Sequence, residues 1–235
     1  MKKIRLKENK KIISFVGSCQ SGTSFLVNNI ARLIARRNID VAILDMAKGK
    51  SSYYIYTLNK ESLMVSVKGN MKKLSEGIAN GIKIENNLTI YTDLPGKNEY
   101  SDKAEKILET LLKKHQFVII DTDFTTNADY FAYSNQVYLV QTMDVLTMQP
   151  LTEFLSKLKS KNAINDIVVL AHPECEKEIR DLADYIGSTG EMINYATNCP
   201  AKNYLVCTEE GIHYELSKRN PDKNFYFPGT STLCP

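Results

Sequence analysis

The sequence predicts an α/β protein: a three-layer α/β/α parallel-sheet domain followed by a small α/β unit. Short apolar runs at 12–16, 41–45, 88–92, 117–121, 137–141, 167–171 and 204–208, rich in β-branched residues, read as strands. Between them, segments 24–37, 101–115, 150–161, 174–186 and 209–219 carry apolar residues at helical spacing. The strand runs are continuously apolar rather than alternating, as strands covered on both faces must be, and their alternation with helices points to a parallel sheet.

Bulk properties narrow the classes. The chain has 235 residues, 43% hydrophobic and 24% charged, ordinary values for a globular core. A net charge of +3 is too small to indicate nucleic acid or an anionic membrane as partner. The basic opening is followed only by the short run 12–16, which reads as a strand and not as a signal peptide. No stretch approaches the length of a membrane span. The expected location is the cytoplasm, with the five cysteines reduced. None of them lies in CxxC spacing, which argues against a zinc site. Segment 51–87 gives no clear pattern. The polar stretch 160–166 is the one candidate joint, so the expected domains are 1–165 and 166–235.

Gly17-Ser18-Cys19-Gln20-Ser21-Gly22-Thr23-Ser24 follows the first strand and opens the first helix. This is the context of a G-x-x-x-x-G-K-[ST] phosphate loop, in which backbone amides and the helix N-terminus hold an anion. The lysine position is Thr23, and Ser24 stands where a magnesium-binding hydroxyl would be. With FVIID at 117–121, VAILD at 41–45 and the strand-plus-helix at 137–159, residues 10–165 resemble the MinD/ParA family of P-loop ATPases. The resemblance implies Asp121 as the outer magnesium carboxylate, Asp45 as a switch aspartate, and Gly17, Gly22, Thr23 and Ser24 as nucleotide-binding, with Mg–ATP as cofactor. The departures are large. The family's signature lysine after the first glycine is Ser18 here, and the second aspartate after Asp45 is Ala47. Phosphoryl transfer rests on charge neutralisation and positioning, so hydrolysis should be crippled. Lys48 or Lys50 could reach back to a phosphate. The alternative is a strand-to-helix turn kept for packing, with Asp121 a strand-end or capping residue.

From residue 167 the character changes. The blocks His172-Pro173-Glu174-Cys175, 183–189 (ADYIGST), Thr208-Glu209, 220–223 (NPDK) and Leu233-Cys234-Pro235 stand in the order and spacing of the third domain of quinolinate synthase, the iron–sulfur enzyme of NAD biosynthesis. This resemblance implies that His172 and Glu174 assist proton transfer and that Ser188 and Thr189 hold a substrate carboxylate or phosphate. It makes Cys234 one of three cysteine ligands of a [4Fe–4S] cluster. The implied reaction condenses iminoaspartate with dihydroxyacetone phosphate. Each residue has a plainer reading: a structural histidine, a helix-capping Glu174, an N-cap Ser188, an inert thiol at Cys234. The family has three such domains around one site, each giving a cysteine. Cys19 and Cys175 match no family cluster ligand, and one cysteine cannot hold a cubane. The rest of the site would have to come from a homo-oligomer or other subunits. The functional expectation is therefore a quinolinate-synthase-type protein, incomplete or inactive as one chain. The alternatives are a non-hydrolysing MinD/ParA-like nucleotide-binding scaffold and an unproductive hybrid of the two.

Overall fold

The computed structural model describes residues 10–18, 20–57, 65, 67–96, 100–140, 148–160, 167–175 and 177–227. The chain divides into two compact units, Met1–Val140 and Gln141–Pro235. The helix Met148–Ser160, grouped above with the first piece, falls within the second unit. Leu155 of the helix Met148–Ser160 packs on the second unit's core, which accounts for the placement of that helix.

In the first unit the strands are β1 (Lys11–Gly17), β2 (Val41–Asp45), β3 (Ile82–Glu85), β4 (Leu88–Tyr91), β5 (Phe117–Asp123) and β6 (Gln136–Val140). They form one sheet in the order β3-β4-β2-β5-β1-β6. All neighbours are parallel except β3 and β4, which the turn at Asn86-Asn87 folds into an antiparallel hairpin. Its helices are α1 (Thr23–Ala35), α2 (Ser51–Thr57), α3 (Asn70–Glu76), α4 (Ala104–Lys114) and α5 (Ala128–Ala132).

The strand period of two splits neighbouring residues between the faces. Ile43 and Ile119 join Phe15, Val27, Ala31 and Ala35 beneath α1, while Leu44, Val118 and Ile120 join Ile12, Leu74, Ile107, Leu108 and Leu111 beneath α3 and α4. These two cores make the expected three layers. Helix α1 forms because Val27, Ala31 and Ala35 recur every fourth residue and give it one buried face.

The second unit contains α6 (Met148–Ser160), β7 (Ile167–Ala171), α7 (Lys177–Arg180), β8 (Tyr185–Ile186), α8 (Thr189–Asn198), β9 (Asn203–Cys207), α9 (His213–Arg219) and β10 (Asn224–Tyr226). Its sheet runs β10-β9-β7-β8, all parallel. Leu170, Tyr204 and Val206 face Met192, Ala196 and Leu216, and Val169, Ala171, Leu205 and Cys207 face Cys175 and Ile179. The expected helix over 174–186 is only the short α7 followed by a strand. Asp184 explains this: its amide donates to Val169 O at 2.8 Å and its carboxylate accepts from Val169 N at 2.7 Å, which docks 185–186 beside β7. The joint at 161–166 and the block Leu233-Cys234-Pro235 lie outside the described residues. No helix of the described residues is long and apolar enough to cross a membrane.

Candidate functional site

The carboxyl ends of β1, β2 and β5 bring the first group of expected residues together. Gly17 ends β1, and the turn folds back so tightly that a Cβ on Gly17 would collide with Thr23 Oγ1, Ser21 Oγ and the Val140 carbonyl. Only glycine fits there. Gly22 sits in the left-handed region at φ 82° and starts α1. The Ser21 and Thr23 hydroxyls bond one another at 2.7 Å. The loop is thus closed by neutral hydroxyls where a phosphate loop carries a lysine, and Ser18 Oγ is buried without a partner among the described residues.

Asp45 and Asp121 are register partners on β2 and β5, and neither is exposed. Asp45 Oδ2 accepts from Ser52 N at 2.9 Å and from Thr92 Oγ1 at 3.3 Å. Its other oxygen, and both oxygens of Asp121, have no hydrogen-bond partner among the described residues. The Ser24 hydroxyl faces Asp121 without reaching hydrogen-bond geometry. Burial, then the Asp45 charge, push the Asp121 carboxyl up to about 7, and burial raises Asp45 as well.

Of the other members of this group, the sequence left Asp123 unassigned and offered Lys48 or Lys50 only as an arm to a phosphate. Lys50, considered as an arm to a phosphate, is buried with its ammonium donating to Asp45 O at 2.8 Å. Asp123, two residues beyond Asp121, accepts from Lys48 N at 2.6 Å and ties the end of β5 to the loop after β2. Lys48 enters through its backbone. The loop lacks the lysines that would neutralise a nucleotide's phosphates, which leaves its amides and the N-terminus of α1 to hold them.

In the second unit, β7, β8 and β9 are parallel neighbours, so the blocks that follow them share one edge of the sheet. His172 follows Ala171, which is in register with Ile186 and Cys207. Gly187-Ser188-Thr189 follows β8, and Thr208-Glu209 follows β9. The carboxyl edge is where α/β sheets place their ligand-binding groups. The Glu174 amide donates to His172 Nδ1 at 3.3 Å, and a Glu174 carboxylate oxygen lies 3.5 Å from the same nitrogen. In the neutral ring that leaves Nε2 as the protonated nitrogen. Ser188 is the N-cap of α8. Its amide and hydroxyl each donate to Glu191 at 2.8 Å, and these bonds hold the Glu191 carboxyl below its usual value. Thr189 is the first residue of that helix. Cys175 is buried, with its thiol directed at Cys207 O at 3.1 Å.

The family description "Quinolinate synthetase A protein" matches residues 99–235, more than half of the chain. The chain belongs to the quinolinate synthetase A family. It is 54% identical over 77 residues to the quinolinate synthase of Clostridioides difficile strain 630, covering 33% of this chain and 25% of that protein. Against the quinolinate synthase of Clostridium perfringens strain ATCC 13124 it is 33% identical over 134 residues, covering 57% of this chain and 44% of that one. The chain therefore spans less than half the length of these relatives. Its fold is also similar to a plasmid partition protein of Borrelia burgdorferi B31 bound to AMPPNP, with a TM-score of 0.55, 17% identity and 90% of each chain covered. That likeness is one of fold, and it agrees with the MinD/ParA resemblance of the first unit.

Among the quinolinate synthetase A blocks, 220–223 stands apart from the others. Lys223 donates to the carbonyls of Ala196 and Cys199, the latter at 2.7 Å, and so caps the C-terminus of α8 ahead of β10. Asn220 bonds Leu216 O at 3.1 Å. This block holds the sheet's amino end. Cys234 lies outside the described residues. Among those described, no three His, Cys, Asp or Glu side chains converge to hold a metal, so that part of the chain does not by itself fit an iron–sulfur cluster.

Proposed function

We propose that this chain is a quinolinate-synthase-type protein of NAD biosynthesis whose second unit supplies one wall of the site that joins iminoaspartate and dihydroxyacetone phosphate. The observation that supports it is the meeting of three family blocks on one carboxyl edge, at His172, Gly187–Thr189 and Thr208-Glu209. His172, oriented by the Glu174 amide, presents Nε2–H as a hydrogen-bond donor to the substrate, and the Glu174 carboxylate beside it is the group that exchanges the proton. Ser188 and Thr189 hold a substrate carboxylate or phosphate at the N-terminus of α8, Ser188 turning from Glu191 to do so. Cys234 ligates a [4Fe–4S] cluster whose remaining ligands come from another polypeptide or another copy. The single chain is then inactive alone.

The test is an anaerobic assay for quinolinate after iron and sulfide reconstitution. The chain is assayed alone and mixed with a Clostridioides difficile quinolinate synthase that lacks its matched segment. The expected result is no product alone and product in the mixture, lost with His172→Ala. Product from neither sample would remove the reading.

A second reading is favoured by the Gly17–Ser24 loop and the partition-protein fold: a scaffold that binds nucleotide without hydrolysing it and works through protein contacts. A melting-temperature rise with ATP, abolished by Gly22→Val, would support it.

A further inference from the structure

Two carboxyl groups in register on neighbouring strands are both shut from water, three of their four oxygens have no hydrogen-bond partner among the described residues, and charge on both would need a cation to offset it. Such a pair beside a serine hydroxyl ordinarily calls for a divalent cation, which takes one or two carboxylates and fills its shell with water. A buried lysine lies close by. Lys50 is 1% exposed, and lysine is almost never that buried unless paired. Its backbone sits at φ 47°, a left-handed conformation that a non-glycine residue holds only when its surroundings impose it. Its ammonium donates to Asp45 O at 2.8 Å. The charges acting on it are, in order, Asp45, Asp93, Asp123 and Asp121, from the ends of β2, β4 and β5. Burial lowers the lysine, and these carboxylates oppose the shift.

We propose that Lys50 fills the cation position of this edge, neutralising the Asp45–Asp121 pair from within, so that the first unit takes no divalent metal ion there. The loop after β2 is thereby pinned by the same residue that silences the metal site. Replacing Lys50 with an uncharged residue should uncover the site: two buried carboxylates, three oxygens without partners and the Ser24 hydroxyl beside them.

The inference bears on the nucleotide-binding reading but does not rest on it, because the test contains no nucleotide. Mn2+ is titrated into the full EDTA-stripped chain and free Mn2+ is followed by electron paramagnetic resonance. The natural chain should show no binding that Asp121→Asn removes, and Lys50→Arg should behave like it. Lys50→Met, which keeps the arm's bulk, should bind Mn2+ at least roughly tenfold tighter, and the Lys50→Met/Asp121→Asn double variant should lose the gain. Asp121-dependent binding by the natural chain would overturn the proposal, as would a folded Lys50→Met that binds no tighter. Should Lys50→Met not fold, the comparison of the natural chain with Asp121→Asn decides: equal Mn2+ binding supports the proposal, and a loss on substitution overturns it.

Discussion

Asp45 and Asp121 stand side by side at the ends of adjacent parallel strands, both buried, with three of their four carboxylate oxygens lacking a partner among the described residues. The pair stores a pH dependence. Folded Asp121 keeps its proton up to about 7, against 3.8 for an ordinary side chain. Across that window the folded chain binds more protons than the unfolded one, so this group makes stability fall as pH rises. Asp121→Asn should abolish this slope and melt higher than the natural chain at pH values above about 7. Thermal unfolding of both proteins across the window checks it; parallel curves would contradict it.

His115 gives a slope of the opposite sign. Its Nε2 accepts from the Tyr91 hydroxyl at 2.8 Å and its Nδ1–H donates to Asp40 at 3.1 Å, with the ring almost fully buried. Burial holds the ring below its ordinary 6.5 despite Asp40. Its contribution is present above the unfolded value and is lost as pH falls below 6.5 toward the folded one. His115→Phe should flatten that acid limb. It should also cost about 1–3 kcal/mol at neutral pH, because the Tyr91 hydroxyl loses its partner in the core. Urea unfolding at two pH values reads both effects.

The two glycines of the loop should differ in how they fail. Gly17→Ala puts a methyl group against the Val140 carbonyl, which is backbone and cannot swing away, at a cost of about 1–3 kcal/mol and a displaced loop. Gly22→Ala meets nothing within 4 Å and suffers only its positive φ, about 1 kcal/mol with the loop in place. Denaturant midpoints and amide spectra of the two variants would separate these outcomes.

How much of this was legible in the sequence depended on range. Runs such as 41–45 and 117–121 read correctly as strands because both faces are buried, and burial on both faces leaves an unbroken apolar string. The short strand Tyr185–Ile186 did not, since Ile179 and Leu182 continue a helical spacing that the bonds from Asp184 to Val169 interrupt. The order of the blocks from His172 to Thr208 was plain in the sequence, but their meeting on one edge came only from the parallel β8-β7-β9 order. Lys50 was the hardest to place. The sequence offered it as an arm to a phosphate, and its burial among the charges of Asp45, Asp93, Asp123 and Asp121, up to 73 residues away in sequence, appears only once the strand ends are brought together.

Ser188 tests where capping ends and binding begins. Ser188→Ala should cost about 1 kcal/mol through the lost cap of α8. Glu191→Gln should weaken the same box, and the double variant should lose less than the two singles combined, because both remove one reciprocal pair. Additive losses in thermal unfolding would show that Ser188 and Glu191 act separately.

The central claim, that the edge formed by His172, Glu174, Ser188 and Thr189 is a working wall of a quinolinate-forming site, is tested most directly in a hybrid. The matched 77-residue segment of the Clostridioides difficile quinolinate synthase is replaced by that of this chain, and quinolinate is measured anaerobically. The account predicts an active hybrid whose rate falls roughly a hundredfold or more with His172→Ala. A folded, cluster-containing hybrid that makes no quinolinate would contradict it.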